Sequence, residues 1–307
     1  MTRAIRRLLI VFLLLCYSPA GYGEEVFFSF SGAEEEMVES THAPDAQPQP
    51  TSDPDAQEPL EVHLLNVASA DSILLVKGGK SMLLDAGNYS ESDRILRYLD
   101  ELGITKLDFA MFSHPHGDHI QGFAAVLEAV EVGVFLEPTL YENYGGEGAD
   151  YLEIIHGIME EKDIPIHIVG HLDKMDFGGA TIQFFQWQNP DALINNRSMI
   201  ARVSFGNSAI LLAADIGSHA QKALAEELGT MLQADILKMP HHGMASYTLE
   251  FHDAVQPKLA TISNVRGNEA VEEQIGRLEA RGVEWMLTTE GTIVCTTDGT
   301  QWLIKQL

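Results

Sequence analysis

From Leu60 onwards, short apolar runs alternate with helical spacings. Residues 62–67, 72–76 and 81–85 are β-rich, and the last two join around Gly78-Gly79, the pattern of a meander. Ile95, Leu99 and Leu102 recur at helical intervals and Gly103 supplies a C-terminal stop, which predicts a helix. Residues 107–112 are apolar enough for a buried strand that runs straight into a histidine cluster, and 120–130 then predicts a helix. The second half repeats the theme. Strands are expected at 182–187, 199–205 and 209–214, with Gly206-Asn207 as the turn between the last two, and Ser218 opens a helix. Residues 234–239 predict a strand ending at Pro240-His241-His242-Gly243, and 259–263 another, followed by a helix through Leu278. From 283 to 304, three short strands are separated by Glu290-Gly291 and Asp298-Gly299. Strand blocks mixed with helices in both halves predict an α/β (α+β) chain, folded as a four-layer αβ/βα sandwich of two mixed sheets with helices outside. Chemistry then gathers along one edge, at the strand ends.

The N-terminus follows other rules. Arg3, Arg6 and Arg7 precede an apolar run over 8–15, then Ser18, Pro19, Ala20, Gly21 and Gly23, the layout of a signal peptide spanning 1–23. The run falls short of the roughly 20 residues that cross a bilayer, so no permanent membrane span is expected after cleavage. A secreted or extracytoplasmic location follows, with anchoring by an uncleaved segment as the alternative. Residues 24–59 are acidic, hold five prolines (Pro44, Pro48, Pro50, Pro54, Pro59) and show no sustained apolar periodicity, which predicts a disordered linker. The folded domain is expected over 60–307. With Cys16 in the signal segment, Cys295 is the remaining cysteine, so no disulfide is available within that domain.

Charge narrows the substrate. The chain carries a net −26, and 61–307 alone hold 35 acids against 16 bases. A field of that sign repels polyanions and argues against strong nonspecific nucleic-acid binding.

The densest chemistry is His114-Pro115-His116-Gly117-Asp118-His119. On an extended segment the imidazoles of His114 and His116 point the same way and can hold one cation. Asp118 and His119 follow at the turn into a helix and point to a neighbouring position, about 3.5 to 4 Å away in two-metal hydrolases. A histidine-rich surface loop is the bland alternative, disfavoured by four potential ligands in six residues after an apolar strand.

This segment resembles the signature of the metallo-β-lactamase superfamily and, within it, the hydrolase domain of ComEC competence proteins and their free-standing relatives. Asp71-Ser72, Leu83-Leu84-Asp85-Ala86-Gly87, Asn195-Asn196-Arg197-Ser198, 211–216 and Leu237-Lys238-Met239-Pro240-His241-His242-Gly243 support it, across essentially all of 60–307. The resemblance implies two divalent metal ions, zinc or manganese, held by His114, His116, Asp118, His119, Asp215 and His241. It makes Asp215 the carboxylate shared by both ions. His241 is favoured as the ligand, with His242 as acid/base helper and Asp118 as the other catalytic group. Asp85 would orient ligands as a buried carboxylate. Asn196, Arg197 and Lys238 are assigned to ligand support or substrate, and Arg266 is a further candidate for a substrate oxygen. Asn195 and Asn196 stand where members that cleave β-lactams or lactones supply a middle histidine. Ala68-Ser69-Ala70 replaces a Gly-Gln-Gly, and Met244 a serine.

The expected function is that of an exported metal-dependent hydrolase, a phosphodiesterase using a bridging hydroxide on a small or cell-envelope phosphodiester. An esterase, lactonase or β-lactamase is the alternative within enzymes, and a binding protein that lost turnover the alternative outside them. His171, between the clusters, reads as the start of a hairpin.

Overall fold

The computed structural model describes residues 58–139 and 148–307, together with the backbone of 28–31. In chain order the elements are β1 (Phe28–Ser31), β2 (Leu60–Leu64), β3 (Ser72–Lys77), β4 (Lys80–Ala86), α1 (Ser92–Glu101), β5 (Lys106–Met111), α2 (Gly117–Ile120), α3 (Phe123–Ala129), β6 (Glu131–Pro138), α4 (Ala149–Glu161) and β7 (Ile166–Val169). The second half adds β8 (Lys174–Phe177), β9 (Ala180–Phe185), β10 (Ile200–Phe205), β11 (Ser208–Leu212), α5 (Ser218–Leu228), β12 (Ile236–Lys238), α6 (Leu249–Val255), β13 (Leu259–Ile262), α7 (Glu269–Glu279), β14 (Glu284–Leu287), β15 (Ile293–Thr297) and β16 (Gln301–Gln306). Sheet 1 runs β1-β16-β15-β2-β3-β4-β5-β6-β7 and sheet 2 runs β14-β13-β12-β11-β10-β9-β8. Both are mixed: β4, β5, β6 and β7 pair in parallel, as do β11, β12, β13 and β14, while the remaining pairs are antiparallel.

Alternation along the central strands explains the layers. In β4, Met82 and Leu84 join a core between the sheets, while Leu83 and Ala86 pack with Ile95 and Leu99 of α1 and Phe123 of α3. In β11, Ile210 and Leu212 face the same inter-sheet core, and Ala209 and Leu211 face Leu224 of α5 and Phe251 of α6. Strands buried on both faces read as continuous apolar runs, since successive side chains point to opposite sides. The result is the expected four-layer sandwich.

Three differences have physical causes. The helix expected over 120–130 is broken into α2 and α3 at Gln121-Gly122. Gly122 packs on the Ala86 carbonyl, which leaves no space for a Cβ, and its N–H donates to Gly87 O at 3.0 Å. Apart from the hairpin start at His171, no element is predicted between 131 and 181, yet β6, α4, β7, β8 and the first residues of β9 lie there. Gly133 and Gly157 interrupt their patterns, and the first three residues of β7 are exposed. Within the segment assigned to the linker, β1 pairs antiparallel with β16, Phe28 opposite Ile304. The signal segment and, apart from 28–31 and 58–59, the linker lie outside the described residues. Among the described residues, no helix is long and apolar enough to cross a membrane.

Candidate metal centre

Strand β5 delivers the histidines. Phe112 stays in the core beyond it, and the chain is still extended at His116 (φ −70°, ψ 149°). His114 Nε2 lies 3.1 Å from His116 Nδ1. Helix α2 then turns Asp118 and His119 towards a second position. His119 is buried, and its Nδ1 lies 2.8 Å from Asp85 Oδ2, so a proton there leaves Nε2 to face the cluster. Asp85 is itself held by the Ser113 N–H at 2.6 Å and the Ser113 hydroxyl at 2.8 Å.

Sheet 2 supplies the other side. Asp215 follows β11 after a left-handed Ala214 (φ 44°) and is buried. Its Oδ1 is 3.3 Å from His119 Nε2, and its Oδ2 is 3.4 Å from His242 Nε2 and 3.8 Å from His114 Nε2. One carboxylate therefore faces both histidine groups. Beyond β12, His241 (φ 50°), His242 (φ 52°) and Gly243 (φ 73°) are all left-handed. That backbone is unusual for residues other than glycine and clusters at functional sites. It swings the second imidazole inward: His242 Nε2 lies 3.3 Å from His119 Nε2 and 3.2 Å from Asp118 Oδ2.

The pair His241-His242 is thus arranged opposite to the expectation. His242 is buried among the converging groups, whereas the His241 side chain is 32% exposed, with Nε2 3.7 Å from Asp215 Oδ2 and 3.4 Å from Asn195 Nδ2. Consecutive left-handed residues do not follow strand alternation, which is why the order could not be read from spacing. Two donor groups result: His114, His116 and Asp215, and His119, Asp215 and His242 with Asp71 beside them.

Four carboxylates, Asp71, Asp85, Asp118 and Asp215, lie in or against this cluster, with Lys238 as the buried cation. Burial disfavours a charged His119, but Asp215 and Asp85 outweigh it and lift its pKa to about 10. His242 is raised well above the usual range in the same way, against burial, by Asp215 and Asp71. Burial opposes ionisation of Asp118, yet the hydrogen bond from His242 and the charge of His119 hold its pKa at about 2. His114, by contrast, is pushed well down by burial and by His119. Without cations, protons on His119 and His242 meet part of the buried negative charge. The donor set fits divalent ions: ligand bonds of about 2.1 Å at tetrahedral angles place neighbouring donors about 3.4 Å apart, close to the separations found around His119 and His242.

The remaining expected residues scatter. Asn196 Oδ1 accepts the Gly217 N–H at 2.9 Å and ties the 3₁₀ turn Asn195–Arg197 to the segment after Asp215. Arg197 donates to Pro190 O at 3.4 Å. Lys238 is buried, donates to Asp71 and to Ala214 O, and is turned away from solvent. Arg266 pairs with Glu272 at 3.5 Å and lies over Trp285. His171, in the turn between β7 and β8, pairs with Glu227 at 3.1 Å. Asp71 has no role assigned from the sequence, where Asp71-Ser72 serves only as one of the stretches that carry the resemblance. A cavity of about 590 Å³, lined by Ser69, Asn88, Gly117, Asp118, Gly148, Asp150 and Tyr151, opens beside Asp118.

A family model described as the metallo-beta-lactamase superfamily matches residues 65–263. Competence protein ComA of Neisseria gonorrhoeae is 25% identical over 227 residues, 71% of this chain and 29% of its own length. Recombination protein 2 of Haemophilus influenzae is 27% identical over 221 residues, covering 68% of this chain and 24% of that protein. The chain therefore spans less than a third of these curated relatives. Among solved structures, the metallo-beta-lactamase fold protein YhfI from Bacillus subtilis aligns with a TM-score of 0.51 at 14% identity, over 80% of this chain and all of that one. CmlA, a diiron beta-hydroxylase from Streptomyces venezuelae, aligns with a TM-score of 0.50 at 14% identity, over 82% of this chain and 55% of its own. Those identities speak for the fold alone. The family match, covering well over half the chain, joins the sandwich and its buried His/Asp cluster to one conclusion: this chain belongs to the metallo-β-lactamase superfamily, whose members are usually metal-dependent hydrolases.

Proposed function

We propose that the protein is a binuclear metal-dependent hydrolase of small phosphodiesters. The observation that carries this reading is the convergence of His119 Nε2, His242 Nε2, Asp118 Oδ2 and both Asp215 oxygens, with neighbouring contacts of 3.2 to 3.4 Å. One ion, zinc or manganese, would be held by these groups, and the other by His114, His116 and Asp215. When bound, such ions act as Lewis acids and lower the pKa of water to about 7.

The chain's own residues do the rest. Asp118, a third exposed and bordering the cavity, stays ionised and orients what approaches the cluster. Asp85 holds the His119 ring. His242, enclosed on all sides, serves as ligand, and the half-exposed His241 is the imidazole placed to move protons. Among the described residues no lysine or arginine lines the cavity, and the chain's net negative charge adds to this, so the substrate is small and not polyanionic. An asparagine pair in place of a middle histidine supports a phosphodiester over a lactone or β-lactam, and the N-terminal pattern supports export.

Metal content of the purified protein, measured together with hydrolysis of bis-p-nitrophenyl phosphate, a lactone and nitrocefin, tests the reading. Divalent ions and phosphodiester turnover, lost in a folded Asp118→Ala variant, are expected. Turnover of only the lactone or nitrocefin would transfer the protein to the other class of hydrolase.

A further inference from the structure

We propose that Asp71 and Lys238 form a charge-paired brace that, through Ser263, aims His242 at its metal position; this rests on the metal centre proposed above. Asp71 is then a positioning residue and not a ligand, and Lys238 is structural support for the centre and not a substrate contact.

The brace joins the two sheets. Asp71 immediately precedes β3 of sheet 1, whereas Lys238 ends β12 and Ser263 follows β13 in sheet 2. All three are buried. Asp71 Oδ2 accepts from the Lys238 ammonium, and Oδ1 accepts the Ser263 hydroxyl at 2.5 Å. With its proton committed to Asp71, Ser263 Oγ can only accept from His242 Nδ1, 3.0 Å away. The direction of that relay keeps a proton on His242 Nδ1, so that Nε2, facing Asp118 and Asp215, is the nitrogen that would give up its proton to an ion.

Asp71 lies near the donor groups yet on their wrong side. It approaches His119 and His242 at their Nδ1 atoms, 3.8 and 3.4 Å away, opposite the Nε2 atoms that converge on Asp215. Both of its oxygens are already engaged. Its backbone N–H donates to Asp118 O at 3.1 Å and its carbonyl accepts the Gly87 N–H at 2.8 Å, so the same residue ties down the segments carrying Asp118 and Asp85. Lys238 also donates to Ala214 O at 3.1 Å, while its Nζ stays 3.9 Å from Asp215 Oδ1, beyond hydrogen-bond reach of the shared carboxylate.

A merely stabilising ion pair would affect folding and nothing else, and variants separate the two roles. Asp71→Asn alone strands a buried ammonium, so the informative protein is the double variant Asp71→Asn/Lys238→Met, with Ser263→Ala and Ser263→Thr beside it. Zinc and manganese binding to each full-length protein is measured by elemental analysis and chelator competition, with circular dichroism to show folding. In the folded double variant and in Ser263→Ala, one ion is expected to bind about 10–100-fold more weakly while the other keeps its affinity. Ser263→Thr, which retains the hydroxyl, is expected to restore binding. Wild-type affinity for both ions in the double variant or in Ser263→Ala would overturn the brace. Equal loss of both ions would overturn it too, since Asp71 would then act on the whole centre. A wild-type protein that binds no ion removes the metal centre itself, a failure visible before any variant is made.

Discussion

Sheet 1 brings His114, His116, Asp118 and His119 to the site within six consecutive positions, on one strand end and the first turn of a helix. Sheet 2 brings Asp215 and His242 from loops after two different strands, by way of left-handed residues and a buried ion pair. The first half encodes its chemistry in spacing, so that strand and helix geometry alone aim the side chains. The second half encodes it in backbone shape. Its side chains are aimed only because Ala214, His241 and His242 adopt conformations that packing must impose, and because Asp71 reaches across from the other sheet.

Removing metal breaks the comparison most severely, because both halves lose their common partner. Exhaustive chelation is expected to abolish hydrolysis and to lower the melting temperature. Ions bound about a thousandfold above their dissociation constants contribute about 4 kcal/mol, equivalent to roughly 10 °C in a domain of this size. Unchanged melting after verified ion removal would show that the cluster holds the sheets together without them. The histidine pair comes next and sharpens the view of sheet 2. His242→Ala should cost one ion and lower kcat/KM by at least about 100-fold, whereas His241→Ala should retain both ions and lose about 100-fold, the low end of what a proton-transferring side chain contributes. Metal analysis of the two variants reads the difference directly, and a reversed result would restore His241 as the ligand. The smallest effect is expected at His171, on the opposite side of the argument. Its contact with Glu227 is partly exposed, so His171→Ala should leave metal content and turnover unaltered and cost about 1 kcal/mol or less in urea unfolding.

Legibility in the sequence follows the same division. The apolar run into His114 and the ligand density of 114–119 could be read because strand and helix periods govern them. The layered architecture was readable because β4 and β11 are apolar on both faces. The order of His241 and His242 was not, since left-handed φ values cancel the alternation that spacing arguments assume. Lys238 looks like a substrate-facing cation in the sequence, and only the approach of Asp71 from 167 positions away shows it to be internal. Between 131 and 181 the pattern failed because glycines and exposed apolar residues blur both periods. In β1 the pattern is too short: four residues find their register only against β16.

The seam on which these groups meet carries a last consequence. Cys295, the cysteine among the described residues, is an unpaired buried thiol, so no covalent link there joins the layers. Ions seated between Asp215 and the histidines of sheet 1 would act as a removable rivet across the sandwich. Cohesion and turnover would then share one fastening, and a descendant that abandoned catalysis would have to find another way to keep its two halves shut.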